Sequence, residues 1–158
     1  MGEGSPVTWK LLGGEGIPDI VQFIKEKARD GSDFGKPIHI GTDSLQTGKR
    51  TRFVTVVAIL NPPKGGRIVY CVQSEPRITS LRERLNKEVW HSLNLAMQLG
   101  DMDITVHIDA NPDEKYLSSK YLRELAGMVV GQGFKVTWKP DSWAATHAAD
   151  HVVRLPKA

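Results

Sequence analysis

Apolar and polar residues alternate along this chain with two different periods, and the changes of period divide it into elements. Met1 to Gly16 is glycine-rich, with Val7 to Leu12 a possible short strand. After Pro18, Ile20, Val21, Phe23 and Ile24 fall on one side and Gln22, Lys25 and Glu26 on the other, which predicts a helix ended by Gly31-Ser32-Asp33. Ile38 to Thr42 then reads as a strand, followed at once by an acid, Asp43. Thr47-Gly48-Lys49 is a turn, Thr51 to Leu60 a β-branched strand, and Arg67 to Gln73 its returning partner. Ser80 to Leu99 is the longest helical pattern, with Leu81, Leu85, Val89, Ser92 or Leu93, Ala96 and Leu99 as the inward stripe and Gly100 as its stop. Ile104 to Ile108 is an apolar strand that also runs into an acid, Asp109. Lys115 to Val130 reads as a helix with Leu117, Tyr121, Leu122, Leu125 and Val129 inward, Phe134 to Trp138 as a strand, and Trp143 to about Leu155 as a last helix capped by Asp141 or Ser142. A strand, a hairpin pair, then alternating helices and strands is an α/β pattern with a mixed sheet.

Composition narrows this only slightly. The 158 residues suit one domain with a proper core. A net charge of +3 permits nucleic-acid binding without demanding it. One cysteine, Cys71, excludes an internal disulfide and a cysteine-based zinc site, and its apolar neighbours mark it as a core residue. No stretch is long and apolar enough for a membrane span and no secretory leader is visible, so the cytoplasm is the default location.

The chemistry lies in the acids. Asp43 and Asp109 each follow an apolar strand at its carboxyl end, where α/β folds place their sites. If the two strands are adjacent and parallel, the carboxylates lie side by side, and a divalent cation with oxygen ligands is the natural relief for their repulsion. Glu88 interrupts the inward stripe of the long helix, and Asp150 sits three residues after His147 on the last helix, among alanines that permit close approach. Each acid also has an ordinary reading. Asp43 and Asp109 could start turns, Glu88 could pair with Arg84, Asp150 with Arg154, and Glu83 competes with Glu88 on the same helix. Jointly, two acids at strand ends and two on helix faces point to a site.

The stretches Ile-His-Ile-Gly-Thr-Asp-Ser, Asn-Lys-Glu-Val-Trp-His-Ser, Val-His-Ile-Asp-Ala-Asn and Lys-Pro-Asp-Ser-Trp-Ala-Ala-Thr-His-Ala-Ala-Asp occur in the order typical of the ribonuclease H-like superfamily, which this chain resembles. More narrowly, it is similar to the uncharacterised YkuK-type group of bacterial and phage proteins, and His147-x-x-Asp150 resembles the last motif of RuvC-type Holliday-junction resolvases. The resemblance spans about Pro37 to Arg154. It implies a ribonuclease H-like α/β fold with a mixed five-stranded sheet flanked by helices, residues 36–158 forming that domain and residues 1–35 an N-terminal segment with an extra helix. It also implies phosphodiester hydrolysis with two Mg²⁺ or Mn²⁺ ions roughly 4 Å apart. Asp43 would bridge them, Glu88 and Asp109 would hold one ion, Asp150 would complete the other, and His147 would orient a water or assist proton transfer.

Nucleic acid is the expected partner. Lys49, Arg50 and Arg52 cluster after Asp43, and Arg77, Arg82, Arg84 and Lys87 cluster at the start of the glutamate helix, where they could meet phosphates or simply keep a face solvated. Trp90, Trp138 and Trp143 could stack bases or pack in the core. Two other functions stay open: a non-catalytic binding module on the same fold, and a nucleotide-binding phosphotransferase, faintly suggested by Gly41-Thr42-Asp43-Ser44 followed by Gly48-Lys49.

Overall fold

Period-two runs of β-branched and aromatic residues become the strands of one sheet, and three helices cover its apolar face. A computed structural model of the protein describes residues 7–61 and 65–144. In chain order the elements are strands Trp9–Leu11 (β1) and Gly16–Ile17 (β2), helix Ile20–Ala28 (α1), strands Ile38–Thr47 (β3), Arg50–Leu60 (β4) and Gly66–Pro76 (β5), helix Leu81–Leu99 (α2), strand Ile104–Ile108 (β6), helix Ser119–Gly131 (α3) and strand Lys135–Trp138 (β7). The sheet order is β2-β1-β5-β4-β3-β6-β7. β3, β4 and β5 form an antiparallel meander, while β6 and β7 lie parallel to β3. The five-stranded mixed sheet expected from the sequence is therefore present, widened to seven strands by β1 and β2, which extend it beyond β5.

Local chemistry sets the element ends. Asp19 caps α1 by accepting from the Gln22 amide at 3.1 Å, and Ser80 caps α2 by accepting from the Glu83 amide at 3.2 Å. The β3–β4 hairpin closes through Gly48-Lys49, with Thr47 paired to Arg50 and Gly48 at φ 61°, the left-handed conformation that a two-residue hairpin turn requires. Ile24, Ile38, Val57, Leu93, Leu99, Val106 and Leu125 lie in one buried cluster between the sheet and its helices. Val54 and Val56 form a smaller one on the opposite face with Leu45, Ile68 and Tyr70. Cys71 is buried, as its apolar setting suggests. Among the described residues no helix is long and apolar enough to cross a membrane.

Two expectations need correction. The helix predicted from Lys115 begins at Ser119, because residues 113–119 close into successive four-residue turns (Tyr116 N to Asp113 O, Ser119 N to Tyr116 O) seeded by Asn111, whose side chain accepts from the Asp113 amide. Leu117, assigned to the inward stripe, is consequently 59% exposed. Asp43, moreover, does not end its strand: β3 runs on to Thr47, held by β4. What ends near Asp43 is the pairing with β6, whose last registered partners are Gly41 and His107. Of the expected last helix only Trp143 and Ala144 fall within the described residues.

Candidate functional site

Alternation along β3 sends Thr42 and Ser44 toward α2 and Asp43 to the other face. Thr42 shares its hydroxyl with Thr55 at 3.0 Å and with Ser92 at 2.7 Å, which ties β3, β4 and α2 together one turn of α2 away from Glu88. Ser44 donates its hydroxyl to Glu88 Oε2 at 2.5 Å, and the Ser44 amide donates to Asp43 Oδ1 at 2.8 Å. Asp43 is 8% exposed and Glu88 6%. Glu88 thus lies on the buried face of α2, in line with Leu85, Ser92 and Leu99, whereas Glu83 is exposed in the first turn.

Burial is the largest influence on Glu88. Next come the negative charges of Asp43 and, more weakly, Asp109, and together these hold its carboxyl well above the usual carboxylate range. The Ser44 hydrogen bond and the Arg84 guanidinium act in the opposite direction. Asp43 and Asp109, singled out in the sequence, are therefore both near enough to act on Glu88. Asp109, just past β6, meets Lys139 Nζ at 3.2 Å, a cation that the sequence reading did not connect with it. Among the described residues no three His, Cys, Asp or Glu side chains are grouped tightly enough to hold a metal ion. Asp150 and His147 lie outside the described residues.

A pair of histidines flanks the acids on the sheet. His39 and His107 stand on the neighbouring strands β3 and β6, offset by two residues (His39 is paired with Thr105 and His107 with Gly41), and His39 Nδ1 lies 2.7 Å from His107 Nε2. The Ala144 amide donates to His107 Nδ1 at 3.2 Å. An amide can only donate, so His107 Nδ1 is bare, its proton sits on Nε2, and Nε2 donates to His39 Nδ1. Trp143 packs on both rings, with centroids 5.0 and 4.9 Å away. Both imidazoles are held neutral: burial, then the neighbouring His39, brings His107 down to about 4, and burial lowers His39 as well. The sequence carries a signal for this pair, since His39 and Asp43, and likewise His107 and Asp109, share a strand face by even spacing.

The basic residues fall into different settings. Lys49 and Arg50 are exposed at the β3–β4 hairpin, with Arg50 bonded to Ser74. Arg52 is buried on β4. Arg82 is ion-paired with Glu124 at 2.9 Å and Lys87 with Glu75 at 2.7 Å. Arg84 stands beside Glu88, with its Nε buried and lacking a hydrogen-bond partner. Trp90 and Trp138 are exposed.

Comparison with known proteins gives the family. An uncharacterised protein of Bacillus subtilis (strain 168), YkuK, is 26% identical over 157 residues, covering 86% of this chain and 90% of its own length. The crystal structure of RNase H1 from the halophilic archaeon Halobacterium salinarum matches with a TM-score of 0.42 at 17% identity, over 68% of this chain and 89% of that one. The N-terminal RNase H domain of Rv2228c from Mycobacterium tuberculosis, solved as a fusion with maltose binding protein, matches with a TM-score of 0.43 at 14% identity, over 75% and 94%. The family model described as Ribonuclease H-like matches residues 17–154, and by that match over most of its length the chain belongs to the ribonuclease H-like family.

Proposed function

We propose that the protein is a metal-dependent nuclease that hydrolyses phosphodiester bonds of nucleic acid. The observation that carries this reading is the buried Glu88 carboxyl set against the charges of Asp43 and Asp109. A buried carboxyl that two neighbouring acids act on is costly for a fold that does not use it. Membership of the ribonuclease H-like family supports the same reading.

The donor set fits a hard divalent cation, since it offers carboxylate oxygens and no thiolate. Asp43, Glu88 and Asp109 would hold Mg²⁺ or Mn²⁺, with Asp150 completing the set. Metal bound there would supply a hydroxide nucleophile at neutral pH and charge stabilisation of the leaving oxygen. The chain's own residues do the rest. Ser44 orients Glu88 through its hydroxyl, and Lys139 neutralises Asp109 in the metal-free protein. His107 holds the Trp143–Ala144 backbone that leads toward His147 and Asp150. His147 would orient a water or assist proton transfer; Lys49 and Arg50 would meet phosphates at the exposed hairpin, Arg82 and Lys87 would do so by exchanging their pairing with Glu124 and Glu75, and Arg84 and the buried Arg52 would add positive charge behind them.

A second reading, a non-catalytic nucleic-acid-binding module, is favoured by the Lys139–Asp109 pair, which already neutralises one acid of the set. Cleavage of a labelled panel of RNA, DNA, hybrid and branched substrates with Mn²⁺ decides between the two. The nuclease reading expects wild type to cut at least one substrate and Asp43→Asn to cut none while melting like wild type. Binding without cutting by wild type selects the module.

A further inference from the structure

We propose that a second site, a basic cleft at the end of the sheet opposite to Asp43, binds the phosphate backbone of nucleic acid. The cleft has a volume of about 520 Å³. Lys27 and Arg29 reach it from the end of α1, Lys36 from the turn into β3, and Arg67 from the start of β5, with Asn61 beside them. Among the described residues of its lining Glu26 is the one acid, and it accepts a hydrogen bond from Gln22. Among the described residues none of the four cations is ion-paired, in contrast to Arg82, Lys87, Lys135 and Lys139 elsewhere on the surface.

Helix electrostatics accounts for part of this. Cations in the last turn of α1 complement its carbonyl end, and Lys27 also rests 5.6 Å over the Phe23 ring. Lys36 and Arg67 come from other elements, so the dipole of α1 gives no reason for them. Backbone packing holds the walls in place. Gly35 has φ +76°, a Cβ there would stand 2.7 Å from the Ala28 carbonyl oxygen, and the Lys36 amide donates to that same oxygen at 2.7 Å. Across the cleft, a Cβ on Gly66 would stand 2.8 Å from the Ile59 oxygen. Four cations on three fixed elements, around a space larger than a single phosphate, fit a ligand that carries several phosphates in a row.

The inference rests on the nuclease reading for its ligand class. Register places Ile38 at this end of β3 and Asp43 five residues on, about 17 Å away at the rise of a strand. That separation is about five base-pair steps of duplex. The cleft would therefore grip nucleic acid outside the cut, and a substrate of three or four nucleotides would not span both places.

The test uses the full chain with Arg29→Glu/Arg67→Glu, and Arg29→Gln/Arg67→Gln as the milder pair. Both sites are exposed, so the folds should hold, as thermal melts will check. Anisotropy with labelled oligonucleotides of about thirty and about four nucleotides is measured over a salt series. The long oligonucleotide should bind at least about tenfold more weakly to the Glu variant, with a salt slope smaller by about 1.5 to 2. The Gln variant should move in the same direction, and the short oligonucleotide, which cannot hold the cleft and the Asp43 end together, should lose a smaller factor than the long one. Unchanged affinity and slope for the long oligonucleotide overturn the proposal, as does a wild type that binds no oligonucleotide. Pyrophosphate binding lost in the variants, with long-oligonucleotide binding intact, reassigns the cleft to small phosphates and also overturns it. Mn²⁺-dependent cleavage is scored separately: wild type that never cuts, with the binding loss present, removes the nuclease and leaves the cleft.

Discussion

Ser44 and Glu88, 44 positions apart in the chain, are joined by a 2.5 Å hydrogen bond in which the serine hydroxyl donates to a buried carboxyl. The bond connects β3 to α2 at the point where Asp43 and Asp109 oppose any negative charge on that carboxyl. Substitutions on its two sides should therefore have opposite signs. Ser44→Ala leaves a buried oxygen with one partner fewer and should cost about 1 kcal/mol, a fall in Tm of about 2–4 °C. Glu88→Gln removes the acid but keeps an oxygen for Ser44, and should leave the metal-free Tm unchanged or raise it. The same variant should lose the stabilisation of wild type by Mn²⁺, which would be about 2.7 kcal/mol at a hundredfold excess over Kd. Thermal melts with and without Mn²⁺ check all three. A Gln variant that melts as low as the Ala variant would show that Glu88 is not strained by its neighbours.

The histidine pair makes stability depend on pH. His107 is lowered to about 4 in the folded chain, against 6.5 as its ordinary value. A depressed histidine leaves the folded state with fewer bound protons than the unfolded state once pH falls below about 6.5. Stability is therefore full above that pH and declines as pH falls toward 4, by up to about 3 kcal/mol from this residue. His107→Gln should be less stable than wild type at pH 7, because it loses the hydrogen bond to His39. The gap should narrow steadily as pH falls from 7 to 4. Urea unfolding across that range measures it, and a constant gap would refute the buried neutral histidine.

Cys71 gives a probe of opening. The thiol is buried in β5, and burial pushes its pKa up to about 12. Thiolate is then scarce at neutral pH and inaccessible as well. Iodoacetamide should label the native chain on the order of 10³ times more slowly than the urea-unfolded chain. Mass spectrometry reads the rates, and comparable labelling would place Cys71 outside the core.

Much of the fold was legible because its signals are local. The β-branched run over Thr51–Leu60 and the helical stripe from Leu85 to Leu99 each state their period within one element, and both form as read. β1 lies within the short strand read over Val7–Leu12 and is held by distant partners such as Cys71 and Tyr70, whereas β2 is two residues long, too short for a period, and exists through its pairing with β1. The start of α3 was misplaced because apolar Leu117 suits a helical stripe, while the Asn111 side-chain turn competes locally for the backbone. At the site, three acids were visible as polar residues in apolar settings. Ser44, Lys139 and the His39–His107 contact were not, since each depends on which strands and loops become neighbours.

The early end of the β3–β6 ladder has a mechanical consequence. Among the described residues no registered pair ties the two strands past Gly41 and His107, although β3 stays bonded to β4 through Thr47. Asp43 is thus carried by a stiff hairpin and Asp109 by the loop toward Asn111, with a seam between them. Their spacing is not set by a sheet hydrogen bond between β3 and β6. A ligand drawn between the two carboxyls would close that seam like a wedge withdrawn from a split board, and the cost of closing it would fall on side chains rather than on the backbone.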